Sequence, residues 1–142
     1  MDWKIFNKGV FLVNVLGIVY DASVKKILIG KRVNDPHLKH LSWVFPGGRP
    51  NYKEDMDVNL KYEIKENTGL DVEVKKIVFA KTYPEKREFL SIYYLCEPTD
   101  TSQKEITKGN LSELKWVKPS EISDYFTTSI HPTILEYLKT LD

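Results

Sequence analysis

The stretch from Gly48 to Leu70 reads Gly-Arg-Pro-Asn-Tyr-Lys-Glu-Asp-Met-Asp-Val-Asn-Leu-Lys-Tyr-Glu-Ile-Lys-Glu-Asn-Thr-Gly-Leu. Met56, Leu60 and Ile64 recur at i, i+4 and i+8. That spacing lays one apolar stripe along a helix and predicts a helix over roughly Glu54 to Asn67. Gly69 follows as a C-cap, because glycine takes the left-handed conformation without a Cβ penalty. Just upstream, Trp43 to Phe45 predicts a short strand that stops at Pro46-Gly47-Gly48, where glycines let backbone approach a ligand or ion closely. Glu63 and Glu66 lie three apart, so their carboxylates project about 60° from one another at ~100° per residue. Glu54, at the helix start, can fold back along the same side. Clustered carboxylates repel unless a cation joins them, and oxygen-only ligation suits Mg²⁺ or Mn²⁺. Lys61 and Lys65 stand among these glutamates, and mixed charge runs are ordinarily solvated helix faces. On the helix alone, a cation site and a solvated face are both open.

Working outward, Val10 to Tyr20 is rich in β-branched residues and predicts a buried strand. Asp21-Ala22-Ser23 predicts a turn, and Lys26 to Arg32 a second strand that completes a hairpin. Residues 33–42 read as a loop on the strength of Asn34, Asp35 and Pro36. Beyond the helix, strands are expected at about Leu70 to Lys81, Glu88 to Glu97 and Leu111 to Lys118, with a polar loop from Pro98 to Gly109. Pro119-Ser120-Glu121-Ile122 predicts a helix start. Ile134, Leu135, Leu138 and Leu141 predict a last helix within Ile130 to Leu141. The order β-β-β-α-β-β-β-α-α suits an α/β (α+β) domain with a mixed sheet and helices packed on its faces.

The 142 residues carry 21 Lys and Arg against 20 Asp and Glu, a net charge of +1. No global field favours nucleic acid or an anionic membrane, so any anion site is local. The single cysteine, Cys96, excludes an intrachain disulfide and a cysteine zinc cage. Val10 to Tyr20, interrupted by Asn14, is about half a membrane span. Met1-Asp2-Trp3-Lys4 shows no signal-peptide pattern. The expectation is one soluble, cytoplasmic domain.

Gly48 to Leu70 resembles the Nudix box, written Gly-x5-Glu-x7-Arg-Glu-U-x-Glu-Glu-x-Gly-U, with U a bulky apolar residue. Gly48, Glu54, Glu63, Ile64, Glu66, Gly69 and Leu70 fall in register without insertion. Trp43-Val44-Phe45-Pro46-Gly47-Gly48 resembles the approach to the box. Glu113-Leu114-Lys115-Trp116-Val117, with Pro119-Ser120-Glu121-Ile122, resembles the family's closing strand and following helix. The resemblance runs from about Val10 to Leu138. It implies one Nudix domain, a mixed β-sheet sandwiched between helices, over 1–142. It also implies Mg²⁺-dependent (or Mn²⁺-dependent) hydrolysis of the diphosphate in a nucleoside diphosphate derivative. Such a cation neutralises phosphate charge and orients a water, and a carboxylate base takes the water's proton.

By the same resemblance the metal ligands are Glu63, Glu66 and the Gly47 carbonyl, with Glu54 orienting them from behind. The base is expected from beyond the box, with Glu113 and Glu105 available. Two positions depart from the family pattern: Tyr62 replaces an arginine, and Asn67 replaces a glutamate that is a principal metal ligand. A tyrosine hydroxyl can hydrogen-bond a carboxylate but brings no positive charge. The Asn67 carbonyl oxygen is a legitimate but weaker ligand for a hard cation, so the site loses one negative charge. Two functions are therefore expected: a hydrolase, or a catalytically weak or inactive Nudix-fold nucleotide-binding module.

Arg32, at the end of the second strand, and Arg49, after the glycines, are candidates for phosphate contact, since guanidinium meets phosphate oxygens bidentately. Gly48 belongs with them through its backbone. Lys31 is the weaker candidate, because neighbours on a strand face opposite ways. The Gly-Lys-Arg run resembles Nudix members acting on nucleotide sugars, which favours nucleotide sugars or ADP-ribose-type substrates over oxidised nucleoside triphosphates. The expected partner is a small nucleotide, with no nucleic acid or membrane, and a homodimer by resemblance alone. His37 and His40 supply too few ligands for zinc. His131 reads as structural. Trp3, Phe6, Tyr83 and Tyr125 are candidates for stacking on a base, and Cys96 reads as a buried small hydrophobe.

Overall fold

The computed structural model describes residues 3–32, 42–107, 109–127 and 130–141. The loop carrying His37 and His40 lies outside the described residues. After a short 3₁₀ helix, Trp3–Lys8, which the sequence pattern does not announce, β1 (Leu12–Asp21) and β2 (Lys26–Arg32) make the expected hairpin. Its turn is held by the Asp21 carboxylate, which accepts from the Ser23 N–H at 2.9 Å and hydroxyl at 2.6 Å.

The two strands pair only near this turn, at Val19 to Asp21 with Lys26 to Leu28, and then part. Residues 43–48 enter the gap. There β3 (Trp43–Val44) pairs with Gly30 and Lys31 of β2, and β4 (Gly47–Gly48) pairs with Val15 and Leu16 of β1. β3 stops before Pro46-Gly47-Gly48, as expected, and the two glycines go on to form a strand of their own, which the sequence pattern does not announce. They have to be glycine-like to fit: a Cβ on Gly47 would run into the Val15 carbonyl oxygen.

The helix α1 spans Met56–Thr68, one to two residues later than the stripe suggests. Gly69 caps it at φ 76°, its N–H donating to the Lys65 carbonyl at 2.9 Å. Leu60 and Ile64 are fully buried, whereas Met56 is 41% exposed. The stripe's first member thus lies beyond the core it was expected to enter. Next come β5 (Val72–Thr82) and β6 (Phe89–Pro98), antiparallel to each other, with β6 parallel to β1 from Leu12 to Val19. The last strand, β7 (Leu111–Val117), pairs with β2 on the edge opposite β3. A 3₁₀ turn (Pro119–Glu121), α2 (Ile122–Tyr125) and α3 (Pro132–Lys139) follow. His131 caps α3, its Nδ1 accepting from the Thr133 N–H at 3.1 Å.

Strand alternation sends residues to two cores, one on each face of the sheet. Val15, Val19, Leu28, Tyr94 and Cys96 pack with Leu60 and Ile64 of α1. Ile18, Ile27, Ile29 and Tyr93 pack on the other face with Ile122, Ile134 and Leu138 of α2 and α3. The sheet is sandwiched between helices, as expected.

Candidate active site

The site forms where β4 meets α1. Its first requirement is a fixed helix start, and Asn59 provides it. Its side chain, 3% exposed, donates to the carbonyls of Glu54 at 2.9 Å and Asp55 at 3.1 Å, and accepts from the Asn51 N–H at 3.0 Å. The loop after the glycines is thereby tied to the helix it enters. No pattern in the sequence marks Asn59, because an asparagine inside a helix is ordinarily solvent-facing.

With β4 and α1 in place, the Glu63 carboxylate lies directly on Gly48. A Cβ at Gly48 would stand 2.5 Å from Glu63 Oε2, so any larger residue there would push the carboxylate out of this approach. Burial, and then the neighbouring Glu66 carboxylate, holds the Glu63 carboxyl above the usual carboxylate range. Both causes disfavour its charge, and a cation relieves both. The Asn67 side chain donates to the Gly47 carbonyl at 3.2 Å and to the Glu63 carbonyl at 2.9 Å.

Two carboxylates and a backbone carbonyl are hard oxygen donors, which suits a cation that completes its shell with water and phosphate oxygens. Among the described residues no group of three His, Cys, Asp or Glu side chains is arranged to hold a metal. Glu54 and Glu113 therefore do not join Glu63 and Glu66 in one cluster. Glu54 is exposed, and its contact with the site is made by its backbone carbonyl, through Asn59.

The family model for the NUDIX domain matches residues 10–138. The chain belongs to the Nudix family. Solved structures share the fold. A Nudix hydrolase from Nitrosomonas europaea is 19% identical with a TM-score of 0.72, over 92% of this chain and 71% of that one. A MutT protein from Methanosarcina mazei Go1 is 17% identical with a TM-score of 0.73, over 92% and 94%. An ADP-ribose pyrophosphatase from Streptococcus suis is 17% identical with a TM-score of 0.64, over 92% and 88%. No curated protein matches the chain.

The remaining candidates of this Nudix domain are dispersed around β4 and α1. Arg49 follows β4 and is exposed. Arg32 ends β2, its backbone N–H donating to the Ser42 carbonyl at 2.6 Å. It alternates in phase with Leu28 and Gly30, the α1 side of the sheet, and Lys31 has the opposite phase. Glu113 is exposed on the edge strand β7, paired with Lys31, and alternates with Leu114 and Trp116, which pack on the α1-side core. Glu105 precedes Ile106, whose N–H donates to the Thr68 carbonyl at 2.7 Å, so its loop rests on the last turn of α1.

Tyr62, in the arginine position, is 62% exposed, and among the described residues its hydroxyl bonds no carboxylate. Tyr125 packs edge-on against Trp43 at 5.4 Å, and the Tyr83 hydroxyl accepts from Ser91 at 2.9 Å. Phe6 is 38% exposed. Among the described residues, no helix is long and apolar enough to cross a membrane.

Proposed function

We propose that this chain is a divalent-cation-dependent pyrophosphohydrolase acting on a nucleoside diphosphate derivative, with ADP-ribose or a nucleotide sugar favoured over an oxidised nucleoside triphosphate. The observation that carries this reading is the Glu63 carboxylate packed on Gly48, its charge disfavoured by burial and by the neighbouring Glu66 carboxylate, which a cation would relieve. Membership of the Nudix family supports the chemistry. A structural neighbour that is an ADP-ribose pyrophosphatase supports the favoured substrate class.

Glu63, Glu66 and the Gly47 carbonyl hold Mg²⁺ or Mn²⁺ in this reading. When bound, such a cation would supply charge neutralisation at the diphosphate and a lowered pKa for a water. The chain's own residues do the rest. Arg49 and Arg32 bind phosphate oxygens, and the Gly48 backbone admits the diphosphate close to the helix. Glu105, on the loop that rests on the last turn of α1, accepts the proton of the attacking water, whereas Glu113 shares the phase of Lys31 and Val117 on the face of the sheet away from α1.

The test is a hydrolysis screen of ADP-ribose, a nucleotide sugar and an oxidised nucleoside triphosphate with Mg²⁺ and with Mn²⁺, beside Mn²⁺ calorimetry. The double variant Glu63→Gln/Glu66→Gln should lose most of its Mn²⁺ affinity and at least about a hundredfold in turnover, the size of losing preorganised electrostatic stabilisation. Unchanged Mn²⁺ affinity in that variant overturns the cation site. Tight nucleotide binding with no turnover of any substrate replaces the hydrolase by a nucleotide-binding module, the reading that Asn67 favours by removing a charge.

A further inference from the structure

Asn67 stands where the box pattern puts a carboxylate, and its surroundings are those of a donor. Its Nδ2 faces two carbonyl oxygens, of Gly47 on β4 at 3.2 Å and of Glu63 on α1 at 2.9 Å. Carbonyl oxygens only accept, so the amide nitrogen, and not the oxygen, must be the atom between them. The Oδ1 points elsewhere: a Cβ on Gly109 would stand 2.5 Å from it. Gly109, at φ 59°, belongs to the loop whose Ile106 N–H donates to the Thr68 carbonyl. Asn67 is thus wedged among β4, α1 and the loop that precedes β7. On its far side β4 is already paired, Gly47 with Leu16 and Gly48 with Val15.

We propose that Asn67 is a positioning residue that fastens β4 to α1 before any cation arrives, so setting the Gly47 carbonyl and the Gly48–Glu63 contact, rather than a ligand of the cation. This rests on the cation site proposed above. A carboxylate at position 67 would confront two carbonyl oxygens with no hydrogen to share, and the Glu63 carboxylate would add a like charge. Such a site closes only around a cation. The amide of Asn67 closes it without one.

The experiment is amide hydrogen exchange of Phe45, Gly47 and Gly48 in the wild type, Asn67→Ala and Asn67→Asp, in chelator and then with Mn²⁺. Without metal, both variants should exchange about three- to tenfold faster at β4, the effect of losing one net hydrogen bond. Added Mn²⁺ should restore protection in Asn67→Asp, whose carboxylate can reach the Gly47 carbonyl through a shared cation, and not in Asn67→Ala. Metal-free exchange at β4 equal to wild type in both variants overturns the proposal. So does an Asn67→Asp variant that gains Mn²⁺ affinity with β4 undisturbed, which is the behaviour of a ligand. Should Asn67→Ala not fold, the isosteric Asn67→Asp carries the measurement. Insensitivity of Mn²⁺ binding to Glu63→Gln/Glu66→Gln would remove the cation site while leaving the metal-free result to stand on its own.

Discussion

Cys96 on β6 and Lys81 on the neighbouring strand β5 show opposite consequences of burial. Cys96 is fully buried in the α1-side core, and that burial pushes its thiol up to about 12. Lys81, 8% exposed, sits over the Tyr83 ring at 4.5 Å, and burial holds its ammonium below the usual lysine range while Glu85 pulls the other way. In both cases the low-dielectric interior penalises the charged form. The thiol gives a sharp prediction. Its pKa is raised on folding, so its contribution to stability is complete below the unfolded value of about 9.0 and is lost as pH rises through about 12. Iodoacetamide at pH 8 should leave native Cys96 unmodified and label it once urea unfolds the chain. Cys96→Ala should flatten the fall in stability between those pH values. Rapid native labelling would contradict the burial.

In α1 the apolar stripe does unequal work. Leu60 and Ile64 fill the core under β1 and β6, and Gly17 on β1 makes room for them: a Cβ there would stand 2.7 Å from Ile64 Cδ1. Met56 is 41% exposed, so it sheds little apolar surface on folding. Leu60→Ala should therefore cost about 2–5 kcal/mol in urea unfolding, transfer and cavity together. Met56→Ala should cost less than about 1 kcal/mol, as a surface change does. Equal costs would mean that the first turn of α1 is packed as firmly as its middle. The periodicity of the stripe is the same at all three positions. What separates them is depth: Leu60 and Ile64 are enclosed by β1 and β6, whereas Met56 lines an open depression with Val74, Ile77 and Tyr94.

Taken as a whole, the molecule depends on covering both faces of one sheet. The face opposite α1 is closed by α2 and α3, through Ile122, Ile134 and Leu138 over Ile18, Ile27 and Ile29. The C-terminal segment is also tied back by the Tyr20 hydroxyl, which donates to the Leu141 carbonyl at 2.6 Å. Deleting residues 130–142 should uncover those isoleucines and abolish the cooperative thermal transition, seen as a broad melt and dye-accessible apolar surface. A sharp melt in the shortened chain would show that the α1-side core folds alone. Such a result would make the second core dispensable for folding.

Much of this architecture is written in local spacing. The alternation in Lys26 to Arg32 and the Leu60–Ile64 stripe with its Gly69 cap specify their elements because neighbours along the chain fix their own dihedrals and faces. The box spacing likewise puts Glu63 and Glu66 on one side of α1, a consequence of helical pitch alone. The features read differently once folded are those that depend on distant partners. Gly47 and Gly48 become a strand because β1 and β2 part and leave an unpaired edge at Val15 and Leu16. Asn59 becomes a buried brace because the chain after β4 turns back over it. Asn67 looks like a weakened metal ligand in the linear pattern, and its amide is turned toward Gly47, 20 residues earlier, with Gly109 against its oxygen. Periodicity records which face of an element a residue occupies. Which atom of a polar side chain is used depends on the acceptors that the rest of the fold brings to it, and that is a property of tertiary packing.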